Sequence, residues 1–247
     1  MLCDDIINDG HLSVLYQGFA AVQAKIAAAQ KFMLAPDFAL AADGLTENIP
    51  ELERVAPFCR IPYPITWFEV AQSDRKHWLA APMHYPMLQG APQRVGFLCE
   101  ALDATMAYWR TILCWSLKDV PLAAATLNNV SLMAVTYNTA KPGKELDHFI
   151  TLSAAPFDLP EAFNDELLVK TYAKLNASDW AGETRFLYAV LGLLNARNVA
   201  DHEPVDNTRL NRARAKARRT PLSSHVLLKI RIKHKPSLLA TYGERVR

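Results

Sequence analysis

The chain encodes no glycine-rich loop. Its nine glycines are scattered over 247 residues, and neither Gly-x-x-x-x-Gly-Lys nor Gly-x-Gly-x-x-Gly occurs, so the two common phosphate-cradling backbones are excluded. Cys-x-x-Cys is also missing. Cys3, Cys59, Cys99 and Cys114 lie far apart, a spacing that argues against a zinc site and for reduced thiols in the cytoplasm. No apolar run approaches the ~18 residues a membrane span requires. The first residues, Met1-Leu2-Cys3-Asp4-Asp5, are acidic and lead into no secretory apolar segment. No serine or cysteine stands in a nucleophile-elbow or protease context, and no internal repeat is present. The expectation is a protein without membrane contact, cofactor or resident metal.

What the chain does have is charge, unevenly placed. Residues 205–247 carry 12 Lys+Arg against 2 Asp+Glu, a balance of +10, while the first 204 residues carry 15 against 23, a balance of −8. The formal +2 of the whole chain hides this asymmetry, which bears on association with polyanions and says nothing of the fold. The positive charge is densest from Asn207 to Leu222, where Arg209, Arg212, Arg214, Lys216, Arg218 and Arg219 meet no acidic residue. Alanine and arginine are strong helix formers, and nothing between Arg209 and Arg219 is β-branched. The spacing predicts a helix with Arg209, Arg212, Lys216 and Arg219 on one face and Leu210, Ala213 and Ala217 as a narrow apolar stripe. Asn207 is the expected cap and Pro221 the expected stop. Arginine's planar fork of donors suits phosphate, so the six cations are candidate nucleic-acid contacts. The bland alternative is a solvated helix paired with the acidic body of the same chain. No aromatic residue interleaves the run, which weighs against any claim of single-strand binding.

Elsewhere the pattern is that of an ordinary globular chain. His11 to Leu34 reads as one long helix through Leu12, Leu15, Phe19, Val22, Ile26 and Ala29. Pro36 opens a short helix with Asp37 in its first turn, and Gly44 closes it. The prolines at 50, 57, 62 and 64 break regular helix, and Ile65 to Val70 reads as the first strand. Residues 71–93 form an irregular excursion. Arg94 to Leu102, Tyr108 to Leu117 and Val130 to Tyr137 are strand-like, the first two joined as a hairpin at Asp103-Ala104, with a helix over Met106 to Trp115 as the alternative. Lys141 to Lys144 is a turn, Pro160 starts another helix, and Ala181 to Asn198 is apolar enough to be the central buried one. Residues 195–204 form a polar exit loop. The final strand, from Val226 to Ile232, turns Leu228, Ile230 and Ile232 inward and Lys229 and Arg231 outward, where they protect an edge. Helices, strands, helices, strand: the order predicts a single α+β domain over 1–247, with a mostly antiparallel sheet packed against helices and a basic C-terminal segment at 205–247.

Two groups invite a metal or acid–base reading. His77 and His84, with Asp74 nearby, sit in a proline-interrupted loop, where a pair of surface histidines is the default. Asp201-His202-Glu203 precedes the basic run and would suit a metal-dependent nuclease if partners converged on it. Asp147-His148 is weaker still.

Leu193-Leu194-Asn195-Ala196-Arg197-Asn198, Leu210-Asn211-Arg212-Ala213-Arg214-Ala215-Lys216, Pro221-Leu222 and His225-Val226 together resemble a family of proteins encoded by tailed phages and prophages, chiefly of proteobacteria. Trp67-Phe68-Glu69 and Arg94-Val95-Gly96 look like upstream parts of the same pattern. The C-terminal match covers about a sixth of the chain. The family's usual form has Gly-Lys-Pro-Pro where this chain has Arg218-Arg219-Thr220-Pro221. The resemblance implies a phage setting in the cytoplasm of an infected bacterium and leaves mechanism to the residues. They point first to a non-catalytic accessory protein that binds DNA or RNA. Second comes a factor docking on an acidic host or virion protein, and third a metal-dependent nuclease.

Overall fold

The computed structural model describes residues 1–8, 19–76, 94–116, 130–138, 150–153 and 182–231. The expected turn at Lys141 to Lys144, the helix after Pro160, the pair His77 and His84, and Asp147-His148 lie outside them. Among the described residues the order opens with helices α1 (Leu2–Ile7) and α2 (Phe19–Ala28), then strand β1 (Gln30–Leu34). Helices α3 (Pro36–Thr46) and α4 (Ile49–Val55) lead through a 3-10 turn to β2 (Ile65–Ala71). Strands β3 (Arg94–Ala101), β4 (Trp109–Ser116), β5 (Val130–Asn138) and β6 (Ile150–Ser153) follow. Helix α5 (182–195), strand β7 (Ala200–Val205), helix α6 (Thr208–Lys216) and strand β8 (His225–Ile230) complete the order.

The eight strands of the described residues join one sheet, in the order β6-β5-β4-β3-β2-β1-β8-β7. β1 is parallel to both β2 and β8, and every other pairing is antiparallel. The α+β reading with a mostly antiparallel sheet therefore holds. The sheet is covered on both faces. Phe32, Phe68, Val70, Phe97 and Leu113 pack on one side with Phe38 of α3, Leu52 of α4 and Phe186 to Leu191 of α5. Met33, Trp67, Leu98 and Ile112 pack on the other with Leu2 and Ile6 of α1 and Val22 and Ile26 of α2. Burial on both sides explains why the central strands show unbroken apolar runs rather than alternation.

The same burial explains the first misreading. The helix expected over 11–34 stops at Ala28, and its last residues form β1. Phe32 and Leu34 enter one face and Met33 the other, a period of two that an apolar run disguises. Lys31 marks the break: its ammonium donates to the carbonyls of Ala27 and Ala29, both at 3.1 Å, where a cation suits the helix end. Gly44 lies within the last turn of α3 instead of closing it. The hairpin at Asp103 and the buried helix after residue 181 are both present.

The upstream motifs are structural. Glu69 is fully buried and accepts from the amides of Leu2 (2.9 Å) and Cys3 (3.2 Å), from the Trp67 indole (3.1 Å) and from Arg94. It thus satisfies the first amides of α1, where a carboxylate is favoured. Gly96 lies opposite Glu69 in the ladder, and a Cβ there would stand 2.1 Å from the Trp67 ring. Trp67, Glu69, Arg94 and Gly96 lock α1 onto the sheet.

Candidate nucleic-acid interface

Helix α6 connects β7 to β8, and none of its residues is buried. An apolar stripe does not hold it. Leu210 is 49% exposed, and the work is done by polar side chains on one face. Asn207 donates to the Ser223 carbonyl at 2.7 Å. Asn211 makes a two-way clamp on Leu222, donating to its carbonyl and accepting from its amide, each at 2.8 Å. Arg214 donates through Nε to the Thr220 carbonyl at 2.7 Å. Positions 207, 211 and 214 fall on one helix face by their four- and three-residue steps, and they zip α6 to the returning segment 220–223. That segment is anchored in turn: the amide and hydroxyl of Ser223 donate to Asp4 of α1 at 3.0 and 2.7 Å.

The zipper fixes what faces outward. At about 100° per residue, Arg209, Arg212 and Lys216 lie half a turn from Asn207, Asn211 and Arg214, and all three are exposed. They form a ridge of cations on the solvent side. Arg214, predicted as a phosphate contact, is drawn inward to the backbone. Arg218 and Arg219 are exposed but lie past the helix end, so Arg219 does not continue the helical face as its spacing suggested. Among the described residues none of the six forms an ion pair, in contrast to the acid-paired cations of the body.

The ends of α6 differ from expectation. Asn207 sits at the cap position without a side-chain cap bond. Asp206 substitutes, accepting from the Thr208 hydroxyl and amide. These hydrogen bonds, aided by the charge of Arg212, hold its carboxyl below the usual carboxylate range. The stop is not Pro221. Arg218 adopts a left-handed conformation at φ 54°. Its amide donates to Ala215 at 3.0 Å, and that of Arg219 to Arg214 at 2.9 Å. This pair of bonds is a Schellman closure, ordinarily given to glycine.

The triplet Asp201-His202-Glu203 is not a loop but part of β7, an edge strand covering β8. Alternation along the strand places Asp201 and Glu203 on one face, where they pair with Arg231 and Lys229. His202 points to the other and sits edge-on to Phe32, 6.2 Å between ring centroids. The three side chains therefore do not converge as a nuclease site requires. No group of three potential metal ligands occurs among the described residues. Lys229 and Arg231 neutralise acids of the neighbouring strand instead of guarding an edge, because β8 is internal. No helix among the described residues is long and apolar enough to cross a membrane.

None of the protein-family models, curated proteins and solved structures compared with the chain matches it. The signal that sequence reading missed at this site is the Asn207, Asn211, Arg214 spacing. Polar residues at helical intervals were open to reading as an anchoring face.

Proposed function

We propose that the protein is a non-catalytic accessory factor of a phage that binds nucleic acid through the outward ridge of α6. The single observation that carries this reading is the separation of roles around the helix. One face is fastened to the protein by Asn207, Asn211 and Arg214, and the opposite face presents Arg209, Arg212 and Lys216 to solvent. Cations fixed on a held helix and, among the described residues, outside any ion pair are available to phosphates. Arg218 and Arg219 extend the positive surface.

The test is binding of labelled DNA and RNA as a function of salt. Log K is expected to fall against log salt with a slope of about −0.7 to −0.9 per phosphate contacted. Replacing Arg209, Arg212 and Lys216 together by alanine is expected to abolish retention on a heparin or DNA column at physiological salt. Failure of the wild-type protein to bind either at low salt overturns the reading. A protein partner that survives nuclease treatment would then reassign the ridge to an acidic protein surface.

A further inference from the structure

Given that nucleic-acid reading, we infer that the ligand is a single strand, its phosphates on the α6 ridge and its bases stacked on an aromatic platform at the same end of the sheet. Strands β1, β2 and β8 are parallel, so Gln30, Ile65 and His225 begin at one end. β3 and β7 run the other way and reach that end with Ala101 and Val205, and β4 starts there at Trp109. Among the connections at this end are 56–64 before β2, 102–108 between β3 and β4, and 206–224, which contains α6. With strands about 4.8 Å apart, the start of β2 lies roughly 10 Å from that of β8, and the start of β4 roughly 19 Å away. Those spans lie within the reach of a few nucleotides.

The first two connections are laced together. The amide of Ala101 donates to Pro64 at 2.8 Å, that of Leu102 to Tyr108 at 2.8 Å, and that of Ile61 to Met106 at 3.2 Å. On this firm base stand Phe58, Tyr63 and Tyr108, 67%, 48% and 44% exposed. Three large apolar rings left partly in solvent on two loops that are bonded to each other offer ring faces to a ligand. Tyr63 leans on the buried Phe32, which His202 approaches from β7, so this ring is seated against the core on the side where β7 lies. Arg60, exposed between Phe58 and Tyr63, adds a cation. The carboxylate in these loops, Asp103, is turned onto the amide and hydroxyl of Thr105. Rings beside cations are the two components of single-strand recognition. A duplex has its bases stacked on one another and would engage the ridge alone.

The experiment is fluorescence anisotropy with labelled oligothymidylate or oligouridylate of about 20 nucleotides, and a duplex of the same length. The single strand is expected to bind more tightly. Phe58→Ala and Tyr108→Ala are each expected to weaken it by about fivefold or more and to leave duplex binding unchanged. Tyr108→Phe, which keeps the ring, is expected to retain affinity. Unchanged melting temperatures, as suits exposed positions, separate loss of contact from loss of fold. Equal affinity for both probes, or aromatic variants without effect while the triple cation variant abolishes binding, overturns the single-strand inference and leaves the ridge reading standing. No binding of either probe overturns both.

Discussion

Arg218 shows how a single residue reveals the demands of its surroundings. A left-handed conformation costs an L-residue with a Cβ roughly 1–2 kcal/mol, yet the turn that ends α6 requires it, because only that geometry returns the chain along the zipper face. Glycine removes the strain but adds freedom to the unfolded chain, which offsets part of the gain. Arg218→Gly is expected to stabilise the protein by about 0.5–1 kcal/mol, raising Tm by roughly 1–4 °C for a chain of this size, as a thermal melt would record. If Arg218 contacts a phosphate, the same variant makes the salt slope shallower by less than one. A destabilised variant would show that the arginine contributes more to the turn than its backbone bonds indicate. Glu69 stands at the opposite extreme. It lies in one of the two upstream motifs, and four donors hold it as a buried fastening for α1.

At the scale of elements, α6 was legible because everything that makes it a helix is local: alanines, arginines and no β-branched residue. Its orientation was not, because the anchoring partners lie beyond the turn, at Thr220, Leu222 and Ser223. β1 and β7 were misread for a related reason. A short strand flanked by helices, or laid along an edge, draws its identity from neighbours distant in sequence, and only pairing distinguishes Gln30–Leu34 from the end of a helix. The zipper also makes a prediction that separates anchoring from contact. Asn211→Ala deletes both bonds to Leu222 and is expected to cost about 1–2 kcal/mol, confined to the α6 unit. Hydrogen exchange should accelerate at the amides of 208–216 and remain slow in β2 to β4. Nucleic-acid affinity should fall through lost preorganisation, with the salt slope unchanged. Arg212→Ala should do the reverse, leaving exchange as it was and reducing the slope by about 0.7–0.9. If both variants change the slope alike, the two faces of α6 do not have separate tasks.

Among the described residues, several acids of the body already have partners other than the cations of α6. Arg75, over the Phe186 ring, joins Glu183 and Asp43 in the interior. Glu100 receives Lys25 and Arg110, Glu69 receives Arg94, and Asp4 is taken by Ser223. These pairings tie helices to the sheet on both faces, so the layers should open together. The thiols test that. Cys3 lies in α1, Cys59 between α4 and β2, and Cys99 and Cys114 within the sheet, all free and buried. Burial pushes Cys59 and Cys99 up to about 12 and raises Cys3 and Cys114 as well. An exposed thiol ionises near 8.5, so raising the pH from about 7 to 9 should greatly accelerate labelling of an open cysteine and do almost nothing here. In a native sample treated with a chromogenic disulfide reagent, all four are expected to react slowly and at one common rate, that of global unfolding, and immediately in denaturant. A single fast thiol would identify a layer that opens alone: Cys3 would release α1 together with its anchor on Ser223, and the basic helix would then ride on a mobile base.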